Sequence, residues 1–99
     1  MKKYRVAPPA RSDLAQIWSY VAQNGSQDAA DRVIDSIFEA FQLLAKMPDA
    51  GRARTDIDAR TRSFPVGSYV VYYKRRERGI VISRILHAMR DQLRAWRES

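Results

Sequence analysis

Two apolar stripes at helical spacing, separated by a short stop-and-start signal, constrain the fold of this chain more than any other feature. The first stripe repeats every three or four residues, at Ala10, Leu14, Ile17, Trp18 and Val21. Asn24-Gly25 is a typical helix stop, and Ser26 is a favourable N-cap for a second helix. The second stripe comprises Ala30, Val33, Ile34, Ile37, Phe38, Phe41 and Leu44. We predict helices over about residues 10–23 and from Ser26 to about Lys46.

A link this short between two helices predicts an antiparallel αα-hairpin, whose apolar stripes must be covered by the rest of the chain. Tyr4-Arg5-Val6 predicts a short strand that ends at Pro8-Pro9, because proline cannot donate to a strand ladder. The polar stretch Arg52–Ala59 predicts an exposed loop. Three runs rich in β-branched and aromatic residues follow, at Thr61–Val66, Tyr69–Lys74 and Gly79–His87.

These runs are separated by the turn signals Gly67-Ser68 and Arg75–Gly79, which predict a three-stranded antiparallel meander. With the N-terminal strand added at an edge, the sheet has four strands and carries the helical hairpin on one face. Residues 90–98 predict a short basic C-terminal helix or tail. The predicted fold class is α+β, with one domain over residues 1–99, since a chain of this length supports one core.

Composition excludes several kinds of site. The chain has no cysteine, which rules out thiolate nucleophiles, disulfides and iron–sulfur clusters, and its one histidine, His87, rules out a multi-histidine metal site. We therefore expect no metal and no cofactor. The longest apolar run, Tyr69–Tyr73, is far below the roughly 20 residues of a membrane span, and no apolar stretch follows Lys2-Lys3. We expect a cytoplasmic protein with no membrane partner.

Positive charge is concentrated in the second half. The chain has a formal net charge of +7, yet residues 1–50 carry six basic and six acidic side chains. Residues 51–99 carry twelve basic against five acidic side chains, and 14 of the 18 basic residues are arginine. Because guanidinium groups pair bidentately with phosphate or carboxylate, the excess indicates a nucleic acid or an acidic protein segment as partner, or else a solvated basic face.

Arg84 and His87 are the most informative polar residues of the last strand. Strict alternation places Ile80, Ile82, Arg84 and Leu86 on one face and Val81, Ser83, Ile85 and His87 on the other. A half-buried arginine needs a partner, either a helix carboxylate such as Asp13 or a bound anion. His87 either packs or caps at the strand end, or transfers protons in ribonucleolytic cleavage with Arg60, Arg62 and Arg84 as cations and Glu77 as a remote base.

Aromatic residues near basic ones have two interpretations. Tyr69, Tyr72 and Tyr73 precede three basic side chains and fit either a core strand or a surface on which bases stack. Trp18 and Tyr20 flank the first apolar stripe and predict the edge of the core or of a groove. Trp96 lies between arginines near the C-terminal end, a composition typical of an interaction hot spot.

The order and the residue patterns of several segments, from Tyr4 to about Asp91, resemble those of the ParE toxins of the RelE/ParE superfamily. The segments that carry this resemblance are Tyr4-Arg5-Val6, Ala10-x-x-Asp13-Leu14-x-x-Ile17-x-x-Tyr20, Phe41-x-x-Leu44-x-x-x-Pro48-x-x-Gly51, Arg62-x-Phe64, Tyr69-Val70-Val71-Tyr72-Tyr73 and Ile82-Ser83-Arg84-Ile85-Leu86-His87-Ala88-Met89-Arg90-Asp91. The resemblance implies that the chain is the toxin of a bacterial type II toxin–antitoxin module. It also implies that this toxin inhibits DNA gyrase.

The same resemblance implies a cognate antitoxin, which wraps the toxin in a hetero-oligomer and binds operator DNA, so that the toxin meets that DNA only indirectly. On this basis we expect gyrase to contact Arg84, His87, Arg90, Arg94 and Trp96. We expect the antitoxin to contact Trp18, Tyr20, Arg62 and Tyr72. The superfamily's ribonuclease branch implies the alternative, ribosome-dependent mRNA cleavage; the resemblance supplies no agreed catalytic residue, so none is assigned.

Overall fold

The computed structural model describes residues 3–89, which form two helices and a five-stranded sheet in an α+β arrangement. The elements in chain order are β1 (Tyr4–Val6), α1 (Pro8–Asn24), α2 (Gln27–Lys46), β2 (Arg52–Ala53), β3 (Thr61–Val66), β4 (Tyr69–Arg76) and β5 (Gly79–His87). The predicted fold class is confirmed. The predicted C-terminal helix or tail lies outside the described residues.

The helical hairpin follows the apolar stripes, with one difference at its start. Helix α1 includes Pro8 and Pro9 in its first turn and follows Ala7, which gives no side-chain cap. The prolines fit there because the first N–H groups of a helix have no intrahelical acceptor. Ser26 caps α2 as predicted, and its hydroxyl accepts a hydrogen bond from the Ala29 N–H at 3.0 Å.

The strand order is β1-β5-β4-β3-β2. The three-stranded meander and the edge position of β1 are confirmed, and β1 pairs with β5 in parallel, with Tyr4 opposite Ile80. The prediction that Arg52–Ala59 forms only a loop was wrong at its start, because Arg52 and Ala53 pair with β3 as a fifth strand. Two residues are too few for a β pattern to be visible in the sequence.

The core lies between the helices and one face of the sheet. Phe41, Ile37 and Leu44 of α2 are fully buried against Val71 and Tyr73 of β4. On the opposite face Tyr72 and Leu86 form a smaller cluster with Ile57 and Val70. The interpretation of the Tyr69–Tyr73 run as a core strand is therefore confirmed for Tyr72 and Tyr73, which have no exposed surface.

A β-bulge in β5 corrects the predicted alternation. Tyr73 pairs with Ile82 and Tyr72 with Arg84, so that Ser83 is the additional residue. Because one extra residue reverses the alternation that follows it, Ile85 joins Ile82 in the core beneath the helices, and Leu86 lies on the opposite face. The bulge also puts His87 on the face where α1 packs.

Candidate functional site

A cleft of about 400 Å³ opens between α1 and the adjoining ends of β4 and β5. Residues at helical spacing on α1 form one wall, at Asp13, Gln16, Ile17 and Tyr20. Tyr69 and His87, which are paired across β4 and β5, form the opposite wall. The cleft thus brings together Tyr20 and His87, which lie 67 positions apart in the numbering of the chain.

Asp13, in the α1 wall of the cleft, belongs to a buried ion pair. Asp13 Oδ2 accepts hydrogen bonds from Arg84 Nε at 2.8 Å and from the Ile85 N–H at 2.9 Å. Arg84 Nη2 donates to Asp13 Oδ1 at 3.1 Å. The two side chains are only 8% and 14% exposed, for Asp13 and Arg84 respectively. The pairing of Arg84 with a helix carboxylate is confirmed, so the charge of the Asp13 carboxylate in the cleft wall is compensated.

The rim consists of aromatic groups. Tyr20 is 62% exposed. The His87 ring meets Tyr69 edge-to-face with centroids 5.4 Å apart, and its Nδ1 accepts from the Met89 N–H at 3.1 Å. The predicted packing and capping role of this histidine is confirmed. Burial, together with the neighbouring Tyr20, raises the pKa of Tyr69, so its phenol stays neutral and the rim offers rings and hydroxyls.

Two residues expected to meet an antitoxin hold the scaffold together. Trp18 is half-buried, and its Nε1 donates to Asp31 Oδ1 at 2.9 Å, which joins α1 to α2. Arg62 on β3 donates from Nη1 to the Gly51 carbonyl at 2.5 Å and places Nη2 3.7 Å from Asp49. Each keeps part of its side chain accessible.

Tyr72, the other such residue on the sheet, offers no surface. Its side chain is fully buried on the face of the sheet opposite the helices. Its hydroxyl lies 3.4 Å from Arg54 Nη1, and the Arg54 guanidinium stands 5.6 Å from the ring centroid. Arg54 in turn binds Asp56 at 2.7 Å, which raises the pKa of Arg54 and holds this segment over Tyr72. A partner meets this covering segment before it meets Tyr72.

Among the cations and the base named for ribonucleolysis, Arg84 is engaged by Asp13, and Arg62 and Glu77 lie away from His87. Arg62 pairs with Tyr73 of β4, whereas His87 pairs with Tyr69 of the same strand. Arg62 and His87 are therefore about 13 Å apart along the strand direction. Glu77 lies in the turn that precedes β5, at the end of that strand remote from His87. Arg90, Arg94 and Trp96, expected to contact the target, lie outside the described residues.

Sequence reasoning missed Gln16 and Tyr69 as parts of this cleft. The signal for Gln16 is its position on α1, three residues after Asp13 and four before Tyr20, which places all three on one helix face. No comparable signal exists for Tyr69, because its position beside His87 depends on the bulge in β5.

Within residues 3–89 no three histidine or acidic side chains are grouped to hold a metal ion. Neither helix of this part of the chain has the length and apolar character that a membrane span requires.

Comparison with known proteins agrees with this fold. The family model described as "ParE toxin of type II toxin-antitoxin system, parDE" matches residues 4–92. The chain is 34% identical over 88 residues to Toxin ParE1 of Caulobacter vibrioides, covering 88% of this chain and 90% of that protein. It is 33% identical over 90 residues to Toxin RelE3 of the same organism, covering 90% and 97%.

Two solved structures share the fold. One, from the chromosomal ParDE toxin–antitoxin system of P. aeruginosa, superposes with a TM-score of 0.76 at 18% identity over 88% of this chain and 96% of that one. The other, from the toxin–antitoxin complex RelBE2 of Mycobacterium tuberculosis, has a TM-score of 0.67 at 24% identity, covering 87% and 96%. The α+β architecture is that of small toxins of toxin–antitoxin systems. The chain belongs to the ParE toxin family of type II toxin–antitoxin systems, within the RelE/ParE superfamily.

Proposed function

We propose that this chain inhibits DNA gyrase in the bacterial cytoplasm by binding it through the cleft between α1 and β5. The observation that carries the proposal is the exposed aromatic rim of Tyr20 and His87, in a cleft whose lining carboxylate, Asp13, is compensated by Arg84. Aromatic side chains around a cleft that is partly shielded from water are typical of interaction hot spots. Arg84 supports the binding site by holding Asp13 in place. Arg90, Arg94 and Trp96 are proposed as further contacts with the target.

Occupation of the same cleft by the antitoxin is proposed to neutralise the toxin. The antitoxin is proposed to lie along α1 and contact Tyr20, with Trp18 beside it and Arg62 as a further basic contact. Because Tyr20 and His87 line one cleft, a segment seated against Tyr20 also covers His87. Toxin bound to antitoxin in a hetero-oligomer then has no free cleft, and the antitoxin's own DNA-binding domain carries the complex to operator DNA.

A supercoiling assay with purified gyrase tests the target. We expect inhibition near a one-to-one ratio of toxin to gyrase, and Tyr20→Ala and His87→Ala to weaken it at least about tenfold, equivalent to about 1.4 kcal/mol of binding free energy. Glu39→Gln, an exposed change on α2, is the matched control and retains full inhibition. Full gyrase activity at a large excess of the unmodified toxin would overturn the proposal.

A second candidate function, cleavage of ribosome-bound mRNA, is favoured by the 33% identity to Toxin RelE3. It requires an acid, a base and cations around one phosphate. Here Asp13 engages Arg84, and Arg62 and Glu77 stand away from His87, which supports the gyrase proposal instead. Mapping transcript ends after induction separates the two: cleavage that His87→Ala abolishes favours the ribonuclease, and growth arrest with intact transcripts favours gyrase.

A further inference from the structure

A second surface, at the end of the sheet opposite His87, carries a cluster of cations from three elements. Two shallow grooves of about 450 Å³ and about 380 Å³ flank the turn between β4 and β5. They share Lys3, Arg76, Arg78 and Gly79. Arg5 of β1 extends one groove and Lys46 of α2 extends the other. We call this surface the turn patch and define it by its cations, Lys3, Arg5, Lys46, Arg76 and Arg78.

The cations of the turn patch have no counterions among the described residues. All five side chains are exposed, and none forms an ion pair with a carboxylate of residues 3–89. By contrast Arg54, Arg62, Lys74, Arg75 and Arg84 each have such a partner. Among residues 3–89, Glu77 is the one acidic residue that lines either groove. The positive charge of these five side chains is therefore not neutralised by an ion pair within residues 3–89.

Backbone geometry holds the cluster together. Gly79 has a φ of +135°, and a Cβ there would overlap the carbonyl oxygen of Lys3. The absence of a side chain lets the chain before β1 lie against the turn, where the Ile80 N–H donates to the Lys3 carbonyl at 3.1 Å. Lys3 thus stands beside Arg76 and Arg78, which are about 75 positions away in sequence.

We propose that the turn patch binds the phosphodiester backbone of a nucleic acid, independently of the sequence of its bases. Two grooves that share their central cations suit a polyanion whose charges repeat along its length and reach both. Arginine is well matched to phosphate oxygens, and backbone contacts of this kind fix position without reading bases. This inference goes beyond the proposed function and holds whichever macromolecule the toxin inhibits.

No large exposed apolar side chain of residues 3–89 lines either groove, which favours a nucleic acid over an acidic protein segment. The large exposed apolar side chains of the described residues are Tyr20, Leu43, Met47 and Met89, and none lines either groove. Protein partners derive most of their affinity from such anchors, whereas nucleic-acid backbones bind largely through cations. Strand addition by a peptide is also limited, since β1 offers an open edge of three residues.

Fluorescence anisotropy with the purified full chain tests this proposal. The probes are a labelled 20-bp DNA duplex and a labelled 20-nucleotide single-stranded RNA, titrated from 50 to 300 mM KCl. For the double variant Arg76→Gln/Arg78→Gln we expect at least about tenfold weaker binding at low salt. The magnitude of the slope of log binding constant against log salt concentration decreases by about 1.8 on the duplex and about 1.4 on the single strand, as expected for the loss of two phosphate contacts.

A matched control removes the same charge elsewhere. Arg11→Gln/Arg32→Gln changes two exposed cations of the helices and is expected to weaken binding less than about threefold. Glu77→Gln removes the one acid of the grooves and is expected to tighten binding about threefold. This second variant keeps the test decisive if the first double variant does not fold.

The probes also distinguish the source of the phosphates. Tighter binding to duplex or to single-stranded RNA identifies the preferred nucleic acid, and equal binding identifies pure backbone contact; each supports the proposal. The proposal is overturned if the helix control weakens binding as much as the turn variant, or if Glu77→Gln changes nothing. It is also overturned if a 20-residue polyglutamate peptide displaces the probe at an equal concentration of charge, which would assign the patch to an acidic protein segment.

Discussion

Asp13 of α1 and Arg84 of β5 form a buried ion pair with Oδ2–Nε at 2.8 Å, across 71 positions of sequence. The same carboxylate also accepts the Ile85 N–H directly after the bulge. One side chain therefore satisfies both the guanidinium and a backbone group of β5. This relationship fixes α1 against β5 and so determines the shape of the cleft that Tyr20 and His87 border.

Asp13→Ala is expected to lower the free energy of unfolding by about 3–5 kcal/mol, because it leaves a buried guanidinium and a buried N–H without their acceptor. Chemical denaturation monitored by circular dichroism measures this loss. The double variant Asp13→Ala/Arg84→Met also removes the buried guanidinium and should recover part of the stability. A double variant no more stable than Asp13→Ala would contradict the assignment of the loss to the Asp13–Arg84 pair.

Tyr73 is expected to be the tyrosine most sensitive to loss of its hydroxyl. Its Oη accepts from the Gly51 N–H at 2.8 Å and donates to the Pro48 carbonyl at 2.7 Å, which ties the chain after α2 to β4. Tyr73→Phe leaves both backbone groups unpaired, and we expect a loss of about 1–3 kcal/mol in unfolding free energy.

Tyr20→Phe is the matched control for Tyr73→Phe. Its hydroxyl is on an exposed ring and forms no hydrogen bond with the described residues. We expect a change within about 0.5 kcal/mol, as for surface substitutions in general. Equal effects of the two changes in thermal or urea denaturation would show that the bridge from Tyr73 adds no stability.

Sequence patterns predicted the helices and long strands well, because the 3.6-residue and two-residue periods of their apolar residues are local properties. They did not predict the bulge at Ser83, which reverses the faces of Ile85 and Leu86. A bulge arises from pairing between strands, and nothing in β5 alone marks it. The pairing of Arg84 with Asp13 was inferred from the cost of burying a charge, and a groove edged by Tyr20 was one of two interpretations. The approach of His87 and Tyr69 to Tyr20 depends on the bulge and was not predicted.

Asp58 is expected to contribute to acid unfolding. Burial favours its neutral form, but the N–H groups of Arg60 and Thr61, at 2.8 and 2.7 Å, favour the anion more and hold the pKa of Asp58 below 3.8. A depressed folded-state pKa adds stability above the unfolded value, and that stability is lost as the pH falls through the folded-state pKa.

Asp58→Asn removes this dependence, so its unfolding free energy should fall less steeply than that of the unmodified protein between about pH 5 and pH 2. Asp35→Asn is the control, since Asp35 is exposed on α2 and accepts no hydrogen bond from the described side chains. Denaturant titrations across this pH range measure both variants. Parallel pH profiles for Asp58→Asn and the unmodified chain would show that the carboxylate has no such role.

Gly67 and Gly79, the glycines of the two hairpin turns, are expected to differ in their tolerance of alanine. Gly67 and Gly79 both have positive φ angles, of 58° and 135°, but a Cβ at Gly67 meets nothing within 4 Å, whereas one at Gly79 overlaps Lys3. Gly67→Ala is therefore expected to cost about 1 kcal/mol for the left-handed backbone alone. Gly79→Ala also pushes the chain before β1 away from the turn, and we expect a larger loss of stability and faster amide exchange at Ile80. Hydrogen exchange measures the second effect directly: unchanged protection of the Ile80 N–H in Gly79→Ala would mean that the close approach to Lys3 is not required for β1 to dock.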